Sequence, residues 1–449
     1  MSLYTWTGNP FVDAGIAAIQ VWSGLKEPEA ITLNEVKKIA QDILALYVTD
    51  AWKKNLFSIF PNNPITNPAV KDKRNSFAAY LNGLISGIEP LGQSGDCMAC
   101  GRRNVRSRKN RMHIPLTGYE GSHFFPSKTE GADYCESCTF AVQCVPLMLY
   151  ACGKLALVHS NSHKVMRYWA RRCATEVQRQ ISSRNYTGCF NEKFTNPTNA
   201  LFHITQDLIL SYYEEQWVEE NASIRIYHFT NYGQGPDLDI YDLPSPVFRF
   251  LASVRLHPRF SDWLQVVRRG YRYNIQEKSE EEYKNYPNSV YERLLSGQSI
   301  LAYFLDSLTK KAFGDWSLIT IYLKEVLQMD DNRITTIKRV ADEIAAIIQE
   351  SPNGKRRLGQ VERATNYASF RMVLLRLMHD TVGLKKEAPL FTFDEYVEHL
   401  FPDGALGWKE TQDLILFRLY EQLHSWLIAE GVVLEEEEPE EEVKTIAEQ

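Results

Sequence analysis

The sequence predicts an α+β protein: a mixed N-terminal region with a four-cysteine zinc-binding insertion, followed by a C-terminal helical bundle. Three observations predict it. Cys97-Met-Ala-Cys100 and Cys135-Glu-Ser-Cys138 are two Cys-x-x-Cys pairs. Ile224, Ile226 and His228 alternate with Arg225, Tyr227 and Phe229, the period of a half-buried strand. Beyond residue 289, apolar residues recur at three- and four-residue spacing, the period of helices packed in a bundle. The expected organisation is a mixed α/β region over 1–276 holding the zinc-binding segment 95–140, a linker over 277–288, a helical bundle over 289–434 and a disordered acidic tail over 435–449.

In chain order, Asn9 and Pro10 open a first helix, carried on by Phe11, Gly15, Ile16 and Ile19. Thr32 begins a second, with Leu33, Val36, Ile39, Ile43 and Leu46 as its apolar stripe. Phe60-Pro61-Asn62-Asn63-Pro64 breaks the chain. Residues 160–184 form a helix in which Val165, Trp169, Cys173, Val177 and Ile181 fall on one arc and Lys164, Arg167, Arg171, Arg172 and Arg179 on the opposite one. The bundle helices are expected over 294–304, 318–327, 334–348, 361–377 and 414–428.

The 449 residues are 44% hydrophobic and 24% charged, ordinary globular usage. The longest weakly polar run, residues 144–153, is too short for a membrane span, and no cation precedes Lys26 as a signal peptide would need. A cytoplasmic protein with no membrane partner is expected. The formal charge of −6 is concentrated at one end: eight acids against Lys444 put −7 into residues 435–449 and leave the first 434 residues at +1. Such a run cannot bury itself.

Two residues between thiolates let both sulfurs reach one ion from a tight turn, and two such knuckles complete a tetrahedral site that suits zinc. The 34 residues from Gly101 to Tyr134 make the intervening loop longer than in a compact zinc ribbon. Four thiolates leave no position for water, so the zinc would be structural. Redox pairing and iron–sulfur ligation are the alternatives. Cys144, Cys152, Cys173 and Cys189 read as small buried hydrophobes.

Between the cysteine pairs Arg102, Arg103, Arg106, Arg108, Lys109 and Arg111 stand with no acid before Glu120, a loop suited to phosphates or simply to water. Arg268, Arg269 and Arg272 interleave with Tyr271 and Tyr273, as phosphate contact and base stacking require, although protein interfaces use the same residues. In Asn231-Tyr232-Gly233-Gln234-Gly235-Pro236, glycines flank an amide that could read a base edge, and Asn231 and Gln234 are the candidate readers. A polar turn is the plain alternative. P-loop, Gly-x-Ser-x-Gly and His-Glu-x-x-His patterns are absent, so catalysis is not expected. Asp237, Asp239 and Asp242 read as a surface loop or leave open a zinc-stabilised, metal-dependent nuclease or other nucleic-acid enzyme.

The run from Trp6 to Gly15, the two Cys-x-x-Cys pairs and the Thr230–Pro236 loop together resemble the CXXC-CXXC family of type I-B CRISPR systems. These are large subunits of Cascade, the RNA-guided surveillance complex. The resemblance is clearest over residues 1–250. It implies a subunit that sits at the 5′ end of the guide crRNA, recognises the short motif (PAM) flanking the target in double-stranded DNA, and assists R-loop formation. Guide pairing reads the remaining sequence. The partners it implies are the guide 5′-handle subunit, backbone subunits, small helical subunits and a helicase-nuclease or transposition effector. Related subunits probe the motif with a glycine loop and a glutamine wedge, for which Gly233-Gln234-Gly235 is the local match. The resemblance also implies that the helical C-terminus is made a second time from an internal start, for which Met329 is the candidate.

Overall fold

The computed structural model describes residues 2–88, 96–102, 105, 108–117, 131–191, 194–215, 222–232, 237–271 and 284–432. Arg103, Arg106, Gln234, Arg272 and the acidic tail therefore lie outside the described residues. The fold is mixed α and β, with the cysteine pairs brought together in the N-terminal part and a helical C-terminal part. The chain divides into two compact units, Met1–Ser245 and Pro246–Gln449.

The first unit is organised around α1 (Pro10–Trp22). Gly8 turns the chain at φ +79°, Asn9 caps the helix by accepting from the Phe11 and Val12 N–H groups, and Pro10 occupies the first helical position. Asp13, buried, accepts from Thr7 N–H, Thr7 Oγ1 and Gly8 N–H at 2.8–2.9 Å and clasps the loop onto the helix. Every residue from Phe11 to Gln20 is buried, so the helix is a core element on all sides. It packs on α5 (Glu136–Cys144) through Gly15, where a Cβ would collide with the Ala141 carbonyl oxygen. α2 (Leu33–Tyr47) starts at a Thr32–Glu35 capping box; α3 (Asp50–Ile59) and α4 (Lys73–Gly87) follow.

An antiparallel sheet of order β1-β2-β3-β4 packs on α1 through β2, and Phe11 meets Phe229 edge to face. Its strands are β1 (Leu149–Cys152), β2 (Lys154–Ser160), β3 (Ile224–Thr230) and β4 (Asp237–Leu243). α6 (His163–Ser183) and α7 (Pro197–Glu215) lie in the chain between β2 and β3. The alternation at 224–229 is indeed a strand: Ile224, Ile226 and His228 are buried. β4 ends the sheet with Asp237, Leu238, Asp239 and Ile240 exposed, and charge along an edge discourages further strand pairing.

The second unit begins with α8 (Ser245–Arg255) and α9 (Phe260–Arg269). They join α10 (Ser289–Leu295), α11 (Trp316–Glu325), α12 (Asp331–Glu350), α13 (Gly354–Glu362), α14 (Tyr367–Gly383) and α15 (Trp408–Ala429). The segment 284–288 is packed into this unit: Asn288 is fully buried, donates to the Val267 carbonyl at 2.9 Å and caps α10. The division therefore precedes the 277–288 segment expected as a linker. α15 lies at the centre, its Phe417 ring meeting Phe304 and Trp316. Two expected helices are interrupted. Gly297 at φ +67° ends α10 ahead of a 3-10 turn at Leu301–Phe304, and Asn366 restarts the chain as the cap of α14 inside the expected 361–377 helix. A short hairpin, β5 (Leu305–Asp306) with β6 (Lys311–Ala312), has no sequence signal because each strand is two residues long. Among the described residues no helix is long and apolar enough to cross a membrane.

Candidate metal centre and nucleic-acid interface

The four paired cysteines converge. Cys97 turns through Gly101, whose N–H donates to the Cys97 carbonyl at 2.8 Å and whose φ of +64° closes the knuckle. The second knuckle is the start of α5: Cys135 is its N-cap and Cys138 lies in its first turn, where the unpaired N–H groups of a helix favour thiolates. The Cys135 N–H points at Cys97 Sγ at 3.4 Å. All four Sγ atoms lie within 4.8 Å of one another, with Cys100 and Cys135 at 3.8 Å. Three of the cysteines are buried and Cys100 is half-buried. S–H donation from Cys135 and Cys138 pulls the Cys100 thiol down to about 6, and Cys100 is the chief partner lowering Cys97. Cys135 and Cys138 are pushed up, first by their bonds to Cys100. Shared protons among crowded sulfurs are what a cation would replace, and the set could hold one metal ion. Among the described residues it is the one cluster of three or more His, Cys, Asp or Glu side chains so arranged.

The centre is built into the core. Lys109 and Ala132 exchange both backbone hydrogen bonds, at 2.8 and 2.7 Å, and the Met98 N–H reaches the Asp133 carbonyl at 2.7 Å. Lys109 Nζ meets Glu136 Oε1 at 3.1 Å with both side chains buried. Lys109, a candidate phosphate contact in sequence, is thus committed to the protein interior. Glu136 leans on Gly87, where a Cβ would stand 2.5 Å from its Cγ. Asn9 Nδ2 donates to Tyr134 Oη at 2.9 Å, so the α1 opening is latched beside Cys135.

Beside the cysteine cluster, tied to it through Lys109, lies a strut over residues 108–117. Gln143 Nε2 donates to the His113 carbonyl at 2.9 Å, and burial pulls the His113 imidazole down to about 4. At the far end stands Asn231, fully buried at the end of β3. Its Nδ2 donates to the carbonyls of Ile59 (2.7 Å) and Arg111 (3.0 Å), its Oδ1 accepts from Leu116 N–H, and its own N–H donates to the Ser58 carbonyl at 2.8 Å. Asn231 is a positioning residue: it fixes where the β3–β4 loop leaves the sheet. The sequence alone places it at the loop surface because an Asn before a glycine loop reads as a turn residue, and nothing local marks the four distant partners.

The remaining candidates are distributed. Arg102 donates to Thr5 Oγ1 and is exposed; Arg108 lies 3.7 Å from Asp133 and donates to the Gly131 carbonyl at 3.2 Å; Arg111 is half-buried. On α6, Val165, Trp169, Cys173 and Val177 are buried, whereas Ile181 is 40% exposed because the last turn runs beyond the core. Lys164 and Arg171 are exposed on its outer face, Arg167 donates to the Lys26 carbonyl at 3.1 Å, Arg172 pairs with Asp207, and Arg179 with Glu176. In the second unit Arg268 is exposed, while Arg269 pairs with Asp306 at 3.2 Å, donates to the Leu305 carbonyl and stacks on Phe313. Asp237 and Asp239 both face Lys154, which holds the Asp237 carboxyl below its usual range, and Asp242 pairs with Arg225 at 2.6 Å. Met329 is buried in the link between α11 and α12, and Asp330 caps α12 through Asn332 N–H at 2.8 Å.

No curated protein matches the chain. Residues 91–150, the segment spanning both knuckles and the strut, are similar to the family model described as CRISPR-associated protein (Cas_CXXC_CXXC).

Proposed function

We propose that the chain is the large, non-catalytic subunit of a type I-B RNA-guided surveillance complex, reading the motif that flanks the target in duplex DNA and helping to open it. The observation that supports this reading is the segment 108–117: Lys109 ties it to Glu136 beside Cys135, and its Arg111 carbonyl and Leu116 N–H hold Asn231, after which the chain continues to Gln234. The metal is zinc. Zinc–sulfur bonds of about 2.3 Å span a tetrahedron with edges of about 3.8 Å, the separation of the Cys100 and Cys135 sulfurs. Cys97, Cys100, Cys135 and Cys138 would hold it, and it would supply folding free energy to the loop region with no chemical step.

In this reading Gln234 projects into the duplex at the flanking motif. Arg102, Arg103, Arg106 and Arg108 and the outer cations of α6 neutralise phosphates without reading sequence. The partners are the guide crRNA, the 5′-handle and backbone subunits, small helical subunits and a recruited effector, all in the cytoplasm. Isolating the complex from cells and sequencing its RNA tests this: guide RNAs of uniform 5′ end support it, and the absence of guide RNA overturns it.

The second reading, a metal-dependent nuclease, requires Asp237, Asp239 and Asp242 to converge on a cation. Their pairing with Lys154 and Arg225 favours a charged sheet edge. Magnesium-dependent cleavage of labelled duplex by the purified chain would establish the nuclease instead.

A further inference from the structure

The outer face of α3 carries features that neither the metal centre nor the Gln234 loop uses. Trp52, Leu56 and Ile59 turn inward, so Lys53, Lys54 and Phe57 lie on the exposed side. Beside the start of the helix an open groove of about 660 Å³ is lined by Val48, Lys53, Lys71, Asp72, Lys73 and Arg74. Its one lining acid, Asp72, and the neighbouring Asp50 are already engaged. Asp50 pairs with Lys53 at 3.0 Å, and Asp72 caps α4 by accepting from Asn75 N–H at 3.0 Å and Nδ2 at 2.7 Å. Lys54, Lys71 and Arg74 are exposed and have no ion-pair partner among the described residues. Crowded like charge costs folding free energy, and a polyanion relieves it.

One helical turn beyond Lys53, about 6 Å along the axis, Phe57 stacks obliquely on Tyr232 with ring centroids 4.8 Å apart. Both rings face solvent: Phe57 is 37% and Tyr232 55% exposed. Neither is floppy, since Phe57 is held by the helix and Tyr232 directly follows the buried Asn231, its N–H donating to Thr230 Oγ1 at 3.3 Å. Cations that track a backbone beside aromatic faces that accept a base are the two components of single-strand recognition. In a duplex the base faces are already stacked on one another.

We infer that this face of α3 binds single-stranded nucleic acid, with phosphates in the Lys53–Arg74 groove and an unstacked base on the Phe57–Tyr232 pair. The inference rests on reading the chain as a nucleic-acid-binding subunit and adds a site on α3 that borders the flanking-motif loop and shares Tyr232 with it. A strand released by duplex opening, or an unpaired part of the guide, has the required chemistry.

The test uses the full-length protein and fluorescence anisotropy with labelled oligothymidylate and oligouridylate of about ten nucleotides, within the span of known single-strand sites. Phe57→Ala and Tyr232→Ala should each weaken binding about 5- to 100-fold, leave the salt dependence unchanged, and bind intact and abasic probes alike. Tyr232→Phe should restore affinity. Lys71→Ala with Arg74→Ala should instead reduce the log–log salt slope by about 1.4, two contacts at about 0.7 each. The DNA and RNA arms tell which strand is preferred. Unchanged affinity in both ring variants, or equal competition by duplex of the same composition, overturns the inference. If the protein binds nucleic acid through Arg102 and Arg108 while the ring variants behave as wild type, this site alone falls; if it binds no nucleic acid, the parent reading falls with it.

Discussion

Asn231 donates its side-chain amide to the backbone carbonyl of Arg111 at 3.0 Å, and that bond joins two segments 120 residues apart in sequence. Because Arg111 belongs to the segment 108–117, which Lys109 ties to Ala132 and Glu136 beside Cys135, the end of β3 is hydrogen-bonded to the region of the cysteine cluster. An amide buried with satisfied partners is costly to remove, since the carbonyls of Ile59 and Arg111 lose their donor. Asn231→Ala is therefore expected to lower unfolding stability by about 1–3 kcal/mol in urea titration. In flanking-motif assays it should act like a displaced loop, reducing discrimination even where the protein remains folded.

The proposed zinc site is tested by metal content. Wild-type protein should contain one zinc per chain by elemental analysis, and Cys97→Ser or Cys135→Ser should lose it together with protease resistance of the 97–138 region. Unchanged metal content in either variant removes the assignment.

The Lys109–Glu136 pair makes a prediction opposite to that for a phosphate contact. Removing one partner leaves a buried charge, so Lys109→Met should destabilise by about 3–5 kcal/mol, and Lys109→Met with Glu136→Leu should recover most of it. The double variant should keep the wild-type salt slope for DNA binding, whereas loss of Arg102 should flatten it by about one unit.

What could be read in the sequence divides along the range of the interactions. The cysteine knuckles, the Asn9 cap, the strand at 224–230 and most bundle helices are local patterns of period two, three or four, and a local pattern carries its own signal. Asp13 closing on Thr7, Tyr134 latching Asn9, and the burial of Lys109 and Asn231 depend on partners 6 to 172 residues away, and no spacing announces them. The same holds for Phe57 and Tyr232, which become a pair only when β3 ends against α3.

Separate production of the helical C-terminus from Met329 would yield 121 residues, beginning at the Asp330 cap of α12. Such a product lacks Phe304 and Trp316 and so exposes Phe417, which should make it dependent on assembly for solubility. Mass spectrometry of the complex expressed from its native gene should show a second species starting at Met329; its absence sinks the internal start.

In the proposed function, the loop that follows Asn231 opens duplex DNA at the flanking motif. The most direct measurement is R-loop formation by the assembled complex carrying Gln234→Ala, on a correctly flanked duplex and on the same target with its strands pre-opened. A large loss on the closed duplex and near-wild-type binding to the pre-opened one are expected. Equal activity of wild type and Gln234→Ala on the closed duplex, with discrimination against wrong flanks intact, would contradict it.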